Sequence, residues 1–171
     1  ALAKLAHEWE GTVTLVTQNV DDLHQRAAHH IDHERYRFYN MHGELKRIRC
    51  GHTERVFEWS EDIASETACE CCQKAGTLRP HIVWFGEMPF FMDEIYAALD
   101  RCDIFISIGT SGNVYPAAGF IQYLGMRGRA RTVELNLEPS QGSRYFDENY
   151  FGPATEIVPL YIKKIMMGEV P

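Results

Sequence analysis

The stretch TVTLVTQNVD, residues 12–21, decides the fold class, because a short β-branched apolar run passes directly into polar residues. Comparable short runs recur at residues 37–41, 81–85, 103–108 and 132–137. Helical spacing of apolar residues separates several of these runs, at 92–102 and 116–126, and a further helix is expected at 159–167. Strands that alternate with helices are typical of a parallel sheet covered on both faces, so the sequence predicts an α/β fold.

Polar or glycine-bearing clusters stand where four of the predicted strands end. They are Gln18 to Asp21, His42 to Glu44, Gly109 to Gly112 and Asn136 to Pro139. Ligands of open parallel sheets bind beyond the carboxyl ends of the strands, so four such clusters together predict one binding crevice. Taken singly, each cluster is equally compatible with an ordinary turn, because Gly, Asn and Asp also end strands for conformational reasons.

Composition and charge exclude several classes of protein. The 171 residues are 45% hydrophobic and 24% charged, which is ordinary for a globular domain. A formal net charge of −7 leaves no basic footprint, so we expect no direct nucleic-acid partner. The longest uncharged stretch, residues 104–126, contains four glycines and a proline and is not expected to span a membrane. No secretory signal pattern opens the sequence, which favours a cytoplasmic, reducing location.

Four of the five cysteines gather within residues 45–78, where the sheet pattern lapses: Cys50, Cys69, Cys71 and Cys72. Cys69 and Cys72 have the spacing of a zinc knuckle, and Cys50 stands where the opposite side of a ribbon would. We therefore expect an inserted module, residues 45–78, with one structural zinc held by Cys50, Cys69 and Cys72.

The fourth zinc position is open in the sequence. Thr53 stands where a second upstream cysteine would complete a four-cysteine ribbon. His52, Cys71 or water remain for that position. A set of reduced structural thiols without metal is the competing interpretation.

His42 is a candidate general base. It directly follows a predicted strand and precedes Gly43, which lets a backbone or a ligand approach closely. An imidazole, with a pKa of about 6.5, accepts a proton readily at neutral pH.

Five blocks, in this order along the chain, resemble the sirtuins, a family of NAD-dependent protein lysine deacylases. The blocks are TQNVDDLH at 17–24, MHGEL at 41–45 with the cysteines after it, PHIVWFGE at 80–87, GTS at 109–111 and NLE at 136–138. The likeness covers essentially the whole chain. It is especially strong to bacterial sirtuins, which remove acetyl groups and, in some members, succinyl groups. It implies a Rossmann-like NAD-binding domain, residues 1–44 and 79–171, around the zinc module.

The resemblance assigns the cofactor-binding residues in two groups. The nicotinamide and its ribose would be held by Gln18, Asn19, Val20 and Asp21. The adenosine half would be held by Gly109, Thr110, Ser111, Asn136, Leu137, Glu138 and Ala154.

His42 matches the family's general base, which acts after the acyl-lysine oxygen has displaced nicotinamide from the ribose. The products would be free lysine, nicotinamide and O-acyl-ADP-ribose. The acyl-lysine peptide would lie as an added strand between two segments. Their residues are Val83, Trp84, Phe85, Gly86 and Glu87 in one, and Val114 and Tyr115 in the other.

Two parts of the family pattern are not found in these residues. The glycine-rich first strand-to-helix turn should lie upstream of Thr12, so the first βα unit is expected to be missing and this piece alone to be inactive. The segment whose Tyr and Arg mark succinyl-accepting members is missing as well, which leaves the acyl preference open. Because the first strand normally lies at the centre of the sheet, its loss would expose an internal strand edge.

Two other functions compete with the deacylase. One is a catalytically inactive sirtuin remnant that serves as a peptide-binding module. The other is transfer of ADP-ribose to protein by the same chemistry. The enzyme is favoured over the remnant because Gln18, Asn19, Asp21 and His42 are all intact.

Overall fold

The computed structural model describes residues 1–31 and 34–169. Its strands are β1 (Val13–Thr17), β2 (Tyr36–Asn40), β3 (Gly43–Cys50), β4 (Val56–Glu58), β5 (Leu78–Ile82), β6 (Ile104–Ile108), β7 (Arg131–Asn136) and β8 (Glu148–Phe151). Its helices are α1 (Leu2–Glu8), α2 (Leu23–Ala28), α3 (Met92–Leu99), α4 (Phe120–Arg127) and α5 (Ala154–Met166). Across the described residues, no helix is long and apolar enough to span a bilayer.

The chain divides into two compact units. One comprises Ala1–Val13 with Asp93–Pro171, and the other Thr14–Met92. The predicted zinc module, residues 45–78, lies wholly within the second unit. The bounds of that module stay a prediction.

The first unit is built on a parallel sheet in the order β6-β7-β8. Its register pairs Ile104 with Arg131 and Val133 with Glu148. Helix α5 covers one face because its apolar residues recur three and four positions apart. The resulting core contains Leu5, Val133, Leu135, Val158, Tyr161, Ile162 and Ile165. This parallel sheet and its helices confirm the α/β, Rossmann-like fold class.

The second unit contains two small sheets. One pairs β1 with β2, and the other is antiparallel, in the order β4-β3-β5. In the second sheet Gly43 pairs with Ile82 and Cys50 with Leu78, with an irregularity between Glu44 and Ile48. The expectation that the sheet pattern lapses throughout 45–78 is wrong, because that segment holds most of β3 and all of β4. Charged residues on the solvent side of β3 hid this strand.

The strand expected at 81–85 also needs correction. The strand is Leu78–Ile82, and it runs antiparallel to β3 instead of joining the parallel sheet. The apolar residues that follow form a turn in which the Glu87 amide donates to the Trp84 carbonyl at 2.9 Å. Gly86 permits this turn because its φ is +89°, a conformation that L side chains rarely adopt.

The last helix begins earlier than its proline suggested. Pro159, expected near the first turn, lies inside α5, which starts at Ala154. Two short elements, α2 and β8, were not predicted from the sequence. The described strands form three sheets instead of one.

Candidate functional site

The ends of β1 and β2 meet at His42. The Met41 amide donates to the Thr17 carbonyl at 3.1 Å, and Nδ1 of His42 lies 3.1 Å from the Gln18 carbonyl oxygen. A carbonyl oxygen can only accept, so Nδ1 carries the proton in this contact. The neutral ring therefore keeps the lone pair of Nε2 free to accept a proton.

The backbone on either side of His42 is held by β5 and the segment that follows it. The Val83 amide donates to the His42 carbonyl at 2.9 Å, and the Phe90 amide donates to the Met41 carbonyl at 2.9 Å. Gly43 has φ +86°, and a Cβ on it would lie 2.1 Å from the His81 carbonyl oxygen. A glycine is required there, which explains the His-Gly pair that the sequence analysis singled out.

The segment after β1 is fixed by its own short hydrogen bonds. The Asn19 amide donates to Thr17 Oγ1 at 3.1 Å, and the Val20 carbonyl accepts from the Leu45 amide at 2.8 Å. Asp21 Oδ1 accepts from the Leu23 amide at 3.0 Å, at the start of α2. The structure thus places Gln18, Asn19, Val20 and Asp21 on a fixed backbone beside His42, with Asn19 and Asp21 exposed.

The second predicted group lies at the carboxyl edge of the parallel sheet. Its members are Gly109, Thr110 and Ser111 after β6, Asn136, Leu137 and Glu138 at the end of β7, and Ala154 at the start of α5. The Asn136 side-chain amide donates to the Thr110 carbonyl at 2.8 Å, and the Gly109 amide donates to the Leu135 carbonyl at 3.0 Å. The Gly152 amide closes the edge by donating to the Asn136 carbonyl at 2.9 Å.

Three residues at this edge have the chemical character that a nucleoside-binding site needs. Glu138 is exposed at the strand end, where a carboxylate can accept from ribose hydroxyls. Leu137 is an exposed apolar side chain beside it, suited to contact with a base. Gly109 adopts φ +62°, and no heavy atom would lie within 4 Å of an added Cβ there, so the backbone is open to a ligand.

An arginine clamp shapes the segment Val83–Glu87. The Arg79 guanidinium donates to both Glu87 carboxylate oxygens, at 2.6 and 3.0 Å, and lies 4.0 Å from the centre of the Trp84 ring. Hydrogen bonds from Arg79 lower the pKa of the Glu87 carboxyl to about 2. Glu87 also accepts from the Trp84 amide at 2.9 Å, so the turn is held from both ends while Phe85 is fully exposed.

The other predicted peptide-binding residues belong to the first unit. Val114 and Tyr115 are exposed, and the Val114 carbonyl accepts from the Ala118 amide at 2.9 Å. They therefore lie at the start of the 3-10 turn Ala117–Gly119, which leads into α4. No role was predicted for Arg79 from the sequence, where only its place before Pro80 distinguishes it.

Four thiols converge in the second unit. The sulfur atoms of Cys50, Cys69, Cys71 and Cys72 all lie within 4.8 Å of one another. Tetrahedral zinc with Zn–S bonds of about 2.3 Å separates its sulfurs by about 3.8 Å. Cys50 Sγ and Cys72 Sγ are 3.7 Å apart, and Cys50 and Cys69 are fully buried. These four cysteines are positioned to bind a zinc ion.

The cluster offers Cys71 as the fourth ligand beside the three predicted ones. Cys71 Sγ lies 3.1 Å from Cys69 Sγ and 2.9 Å from Thr53 Oγ1. His52 is outside the cluster, with its Nε2 3.4 Å from Lys74 Nζ. The sequence signal for Cys71 was only its place between two expected ligands.

The thiols affect one another's ionisation. Hydrogen bonding from Thr53 lowers the pKa of the Cys50 thiol to about 5. Thr53 also favours the Cys71 thiolate, but burial and the neighbouring Cys69 and Cys50 thiols outweigh it and raise the pKa of Cys71 to about 11. Without a cation, the four thiols therefore do not all ionise near neutral pH, whereas a bound Zn²⁺ favours four thiolates.

Comparison with known proteins agrees with this geometry. The model of the Sir2 family matches residues 1–116. An NAD-dependent protein deacylase of Escherichia coli (strain K12) is 51% identical over 168 residues, which is 98% of this chain and 58% of that protein. The protein of the same description from Yersinia pestis is 50% identical over 166 residues, 97% of this chain and 57% of that protein.

Solved structures give the same result. A Sir2 homolog in complex with NAD matches with a TM-score of 0.78 and 31% identity, over 91% of this chain and 59% of that one. Sir2Af2 bound to a myristoylated histone peptide matches with a TM-score of 0.69 and 28% identity, over 92% of this chain and 67% of that one.

The strand-end residues, the cysteine cluster and these matches define a Rossmann-like protein with an inserted cysteine cluster that could hold a metal ion. The chain belongs to the Sir2 family, the sirtuins. It spans about 59% of the length of the curated relatives that it matches.

Proposed function

We propose that the protein containing this chain is an NAD-dependent protein lysine deacylase, with acetyl-lysine as substrate. The observation that carries the proposal is the contact between His42 Nδ1 and the Gln18 carbonyl. It leaves Nε2 as a base at the end of β2, directly beside the residues assigned to nicotinamide. Relatives that are about half identical over nearly the whole chain are NAD-dependent protein deacylases, which supports the same conclusion.

NAD, when bound, supplies a ribose carbon with a good leaving group, nicotinamide. In this proposal the Gln18 and Asn19 side chains hydrogen-bond the carboxamide and ribose, and Asp21 holds the nicotinamide. His42 Nε2 would accept the proton of a ribose hydroxyl of the bound NAD and so make that hydroxyl a better nucleophile. The fixed Gln18 carbonyl orients the ring throughout, so no reorganisation of the base is needed.

The remaining residues bind the two ends of the substrates. At the sheet edge, Glu138 accepts from ribose hydroxyls, Leu137 contacts the adenine, and Gly109 to Ser111, Asn136 and Ala154 line the nucleoside. An acyl-lysine peptide adds as a strand along Val83 to Glu87, and Val114 and Tyr115 are the other residues assigned to the peptide by the resemblance. Since such a strand is bound mainly through its main chain, many protein substrates can be accepted.

The acyl group and the setting of the enzyme are also proposed. Succinyl-lysine is a second candidate substrate, since some of the bacterial sirtuins that the sequence resembles remove succinyl groups. Zinc is structural, because the cluster consists of thiols alone, whereas catalytic zinc sites keep an open position and combine other ligands. A cytoplasmic location is supported by the cysteines of the described residues, none of which forms a disulfide, because a reducing compartment keeps thiols reduced.

The test compares peptides in one assay. The full protein is incubated with NAD and a peptide bearing either acetyl-lysine or succinyl-lysine, and released nicotinamide and deacylated peptide are quantified. We expect deacylation that depends on NAD. Peptide binding without turnover in the presence of NAD would instead support the inactive remnant.

A further inference from the structure

One face of β7 carries three polar side chains in a row. Thr132, Glu134 and Asn136 alternate with Val133 and Leu135, so the two sets lie on opposite faces of the sheet. Val133 and Leu135 belong to the core that α5 covers. On the polar face, each side chain instead forms a hydrogen bond with a different segment of the chain.

The outer two polar residues hold segments at either end of the strand. The Thr132 amide and Oγ1 both donate to Asp147 Oδ2 at 2.8 Å, next to the start of β8. The Asn136 side chain donates to the Thr110 carbonyl at 2.8 Å, in the loop after β6. These two contacts hold the segment before β8 and the loop after β6 against β7.

Glu134 holds the middle segment. Its Oε2 accepts from the Ser143 hydroxyl. Ser143 belongs to a turn in which its amide donates to the Ser140 carbonyl at 3.3 Å and the Gly142 amide donates to Ser140 Oγ at 3.1 Å. The carboxylate therefore ties the turn Ser140–Ser143 to the centre of the strand.

That turn packs against the loop that follows β6. The Gln141 amide lies 3.4 Å from the Ser111 carbonyl oxygen that accepts from it. A Cβ on Gly112 would lie 3.4 Å from the Gly142 nitrogen and 3.5 Å from Ser140 Oγ. The position of Ser111 and Gly112 thus depends on the turn, and the turn depends on Glu134.

Stability alone does not account for this carboxylate. Glu134 is 1% exposed, and its Oε1 has no hydrogen-bond partner within the part of the chain that the structure describes. A buried carboxylate with one oxygen unsatisfied costs free energy, and an apolar residue of similar volume is often more stable in such a place. A role in positioning explains why an acid stands here.

We propose that Glu134 is a positioning residue for the adenosine half of NAD. Acting through Ser143, it fixes the turn Ser140–Ser143 and with it Ser111, while Leu137 and Glu138 lie between the strand and that turn. The inference rests on the proposed function, because it takes NAD as the ligand of this edge. Glu134 itself does not touch the ligand.

The test uses the full protein and measures the Kd of ADP-ribose by calorimetry, together with the KM values of NAD and of an acetyl-lysine peptide. Glu134→Leu and Ser143→Ala remove the same hydrogen bond from either side. Each should raise the Kd of ADP-ribose and the KM of NAD about five- to tenfold, the size expected for the loss of one ordinary hydrogen bond. The KM of the peptide should change by less than about twofold, and the double variant should be no worse than either single one.

Two further variants separate positioning from loss of folding. Glu134→Gln keeps an acceptor oxygen for Ser143, so its Kd for ADP-ribose should equal that of the unsubstituted protein. Val133→Ala, on the opposite face, should lower the Tm without changing that Kd. An unchanged Kd in Ser143→Ala, or an equal loss in Val133→Ala, would overturn the inference while the deacylase proposal stands. If the unsubstituted protein binds no ADP-ribose, the proposed function fails together with it.

Discussion

Nδ1 of His42 lies 3.1 Å from the backbone carbonyl of Gln18, and the two residues follow neighbouring strands, β2 and β1. The partner is a main-chain atom, so the orientation of the imidazole depends on the strand ends and not on another side chain. This contact joins the proposed base to the first of the residues proposed to hold nicotinamide, Gln18. A substitution of the Gln18 side chain therefore leaves the orientation of the base intact.

We expect His42→Ala in the full protein to reduce deacylation by about 10²- to 10⁴-fold, the usual cost of losing a general base. NAD affinity should stay within a few fold, because the imidazole is proposed to act on a hydroxyl of the bound substrate and not to hold it. Calorimetry with NAD and a deacylation assay measure the two effects. His29→Ala is a matched control, since Nδ1 of that exposed histidine also lies 3.0 Å from a backbone carbonyl, that of Arg26. A collapse of NAD binding in His42→Ala would refute its assignment as the base.

Asp21→Asn should weaken inhibition by nicotinamide about tenfold or more while peptide affinity is kept, since a charged hydrogen bond contributes roughly 1.5–3 kcal/mol. The asparagine keeps an oxygen for the Leu23 amide, so the start of α2 is preserved. Nicotinamide inhibition curves and the KM of the peptide provide the comparison. Asp22→Asn is the control, because that carboxylate pairs with Lys46 at 2.6 Å. Equal losses for nicotinamide and peptide in Asp21→Asn would indicate a general folding defect instead.

Glu87→Gln should raise the KM of the acyl-lysine peptide several fold and leave that of NAD unchanged, because the amide cannot replace both contacts to Arg79. The lowered pKa of Glu87 also sets a pH window. The stabilisation from this pair is complete above about pH 4.3, the ordinary value for Glu, and is lost as the pH falls toward about 2. The difference in Tm between Glu87→Gln and the unsubstituted protein should therefore be constant from pH 8 to 6 and shrink below pH 4. Glu94→Gln, at an exposed glutamate of α3, should show neither effect.

Zinc content tests the cysteine cluster. We expect one zinc per chain, and less after Cys71→Ser or Cys72→Ser, since each removes one of the four converging thiols. Metal should also be released as the pH falls, because thiolate ligands must be deprotonated. Elemental analysis under reducing conditions measures both. Cys102→Ser is the control, because Cys102 lies outside the cluster and its Sγ donates to the Ile104 carbonyl, a bond that serine can also make. If both cluster variants keep one zinc per chain, the zinc assignment is wrong and these cysteines are structural thiols.

The sequence predicted the parts of the fold that alternate regularly. The runs at 103–108 and 132–137 became β6 and β7 within one residue, because each contains β-branched residues and is followed by turn-forming residues. The strand at 81–85 was misplaced, since Pro80 and the charged residues of β3 conceal an antiparallel pairing that only tertiary contacts reveal. Strand β8 and helix α2 were missed because four to six residues carry too little periodicity.

The candidate site was predicted unevenly for the same reason. His42 and the residues after β1 stand at strand ends, where local pattern and function coincide. Arg79 and Glu134 are different, because each acts through a contact with a residue eight or nine positions away along the chain, and such contacts leave no pattern in a single sequence. Cys71 was visible as a thiol, but only the geometry of the cluster distinguishes it from His52 as a ligand.

The central claim, that this chain carries the base and binding residues of an NAD-dependent lysine deacylase, is tested most directly by product analysis. The full protein is incubated with NAD and an acetyl-lysine peptide, and nicotinamide, deacetylated peptide and O-acetyl-ADP-ribose are quantified by mass spectrometry. The account predicts equal amounts of the three products, falling together by about 10²- to 10⁴-fold in His42→Ala. Deacetylated peptide formed without NAD, or together with free acetate and no nicotinamide, would contradict it.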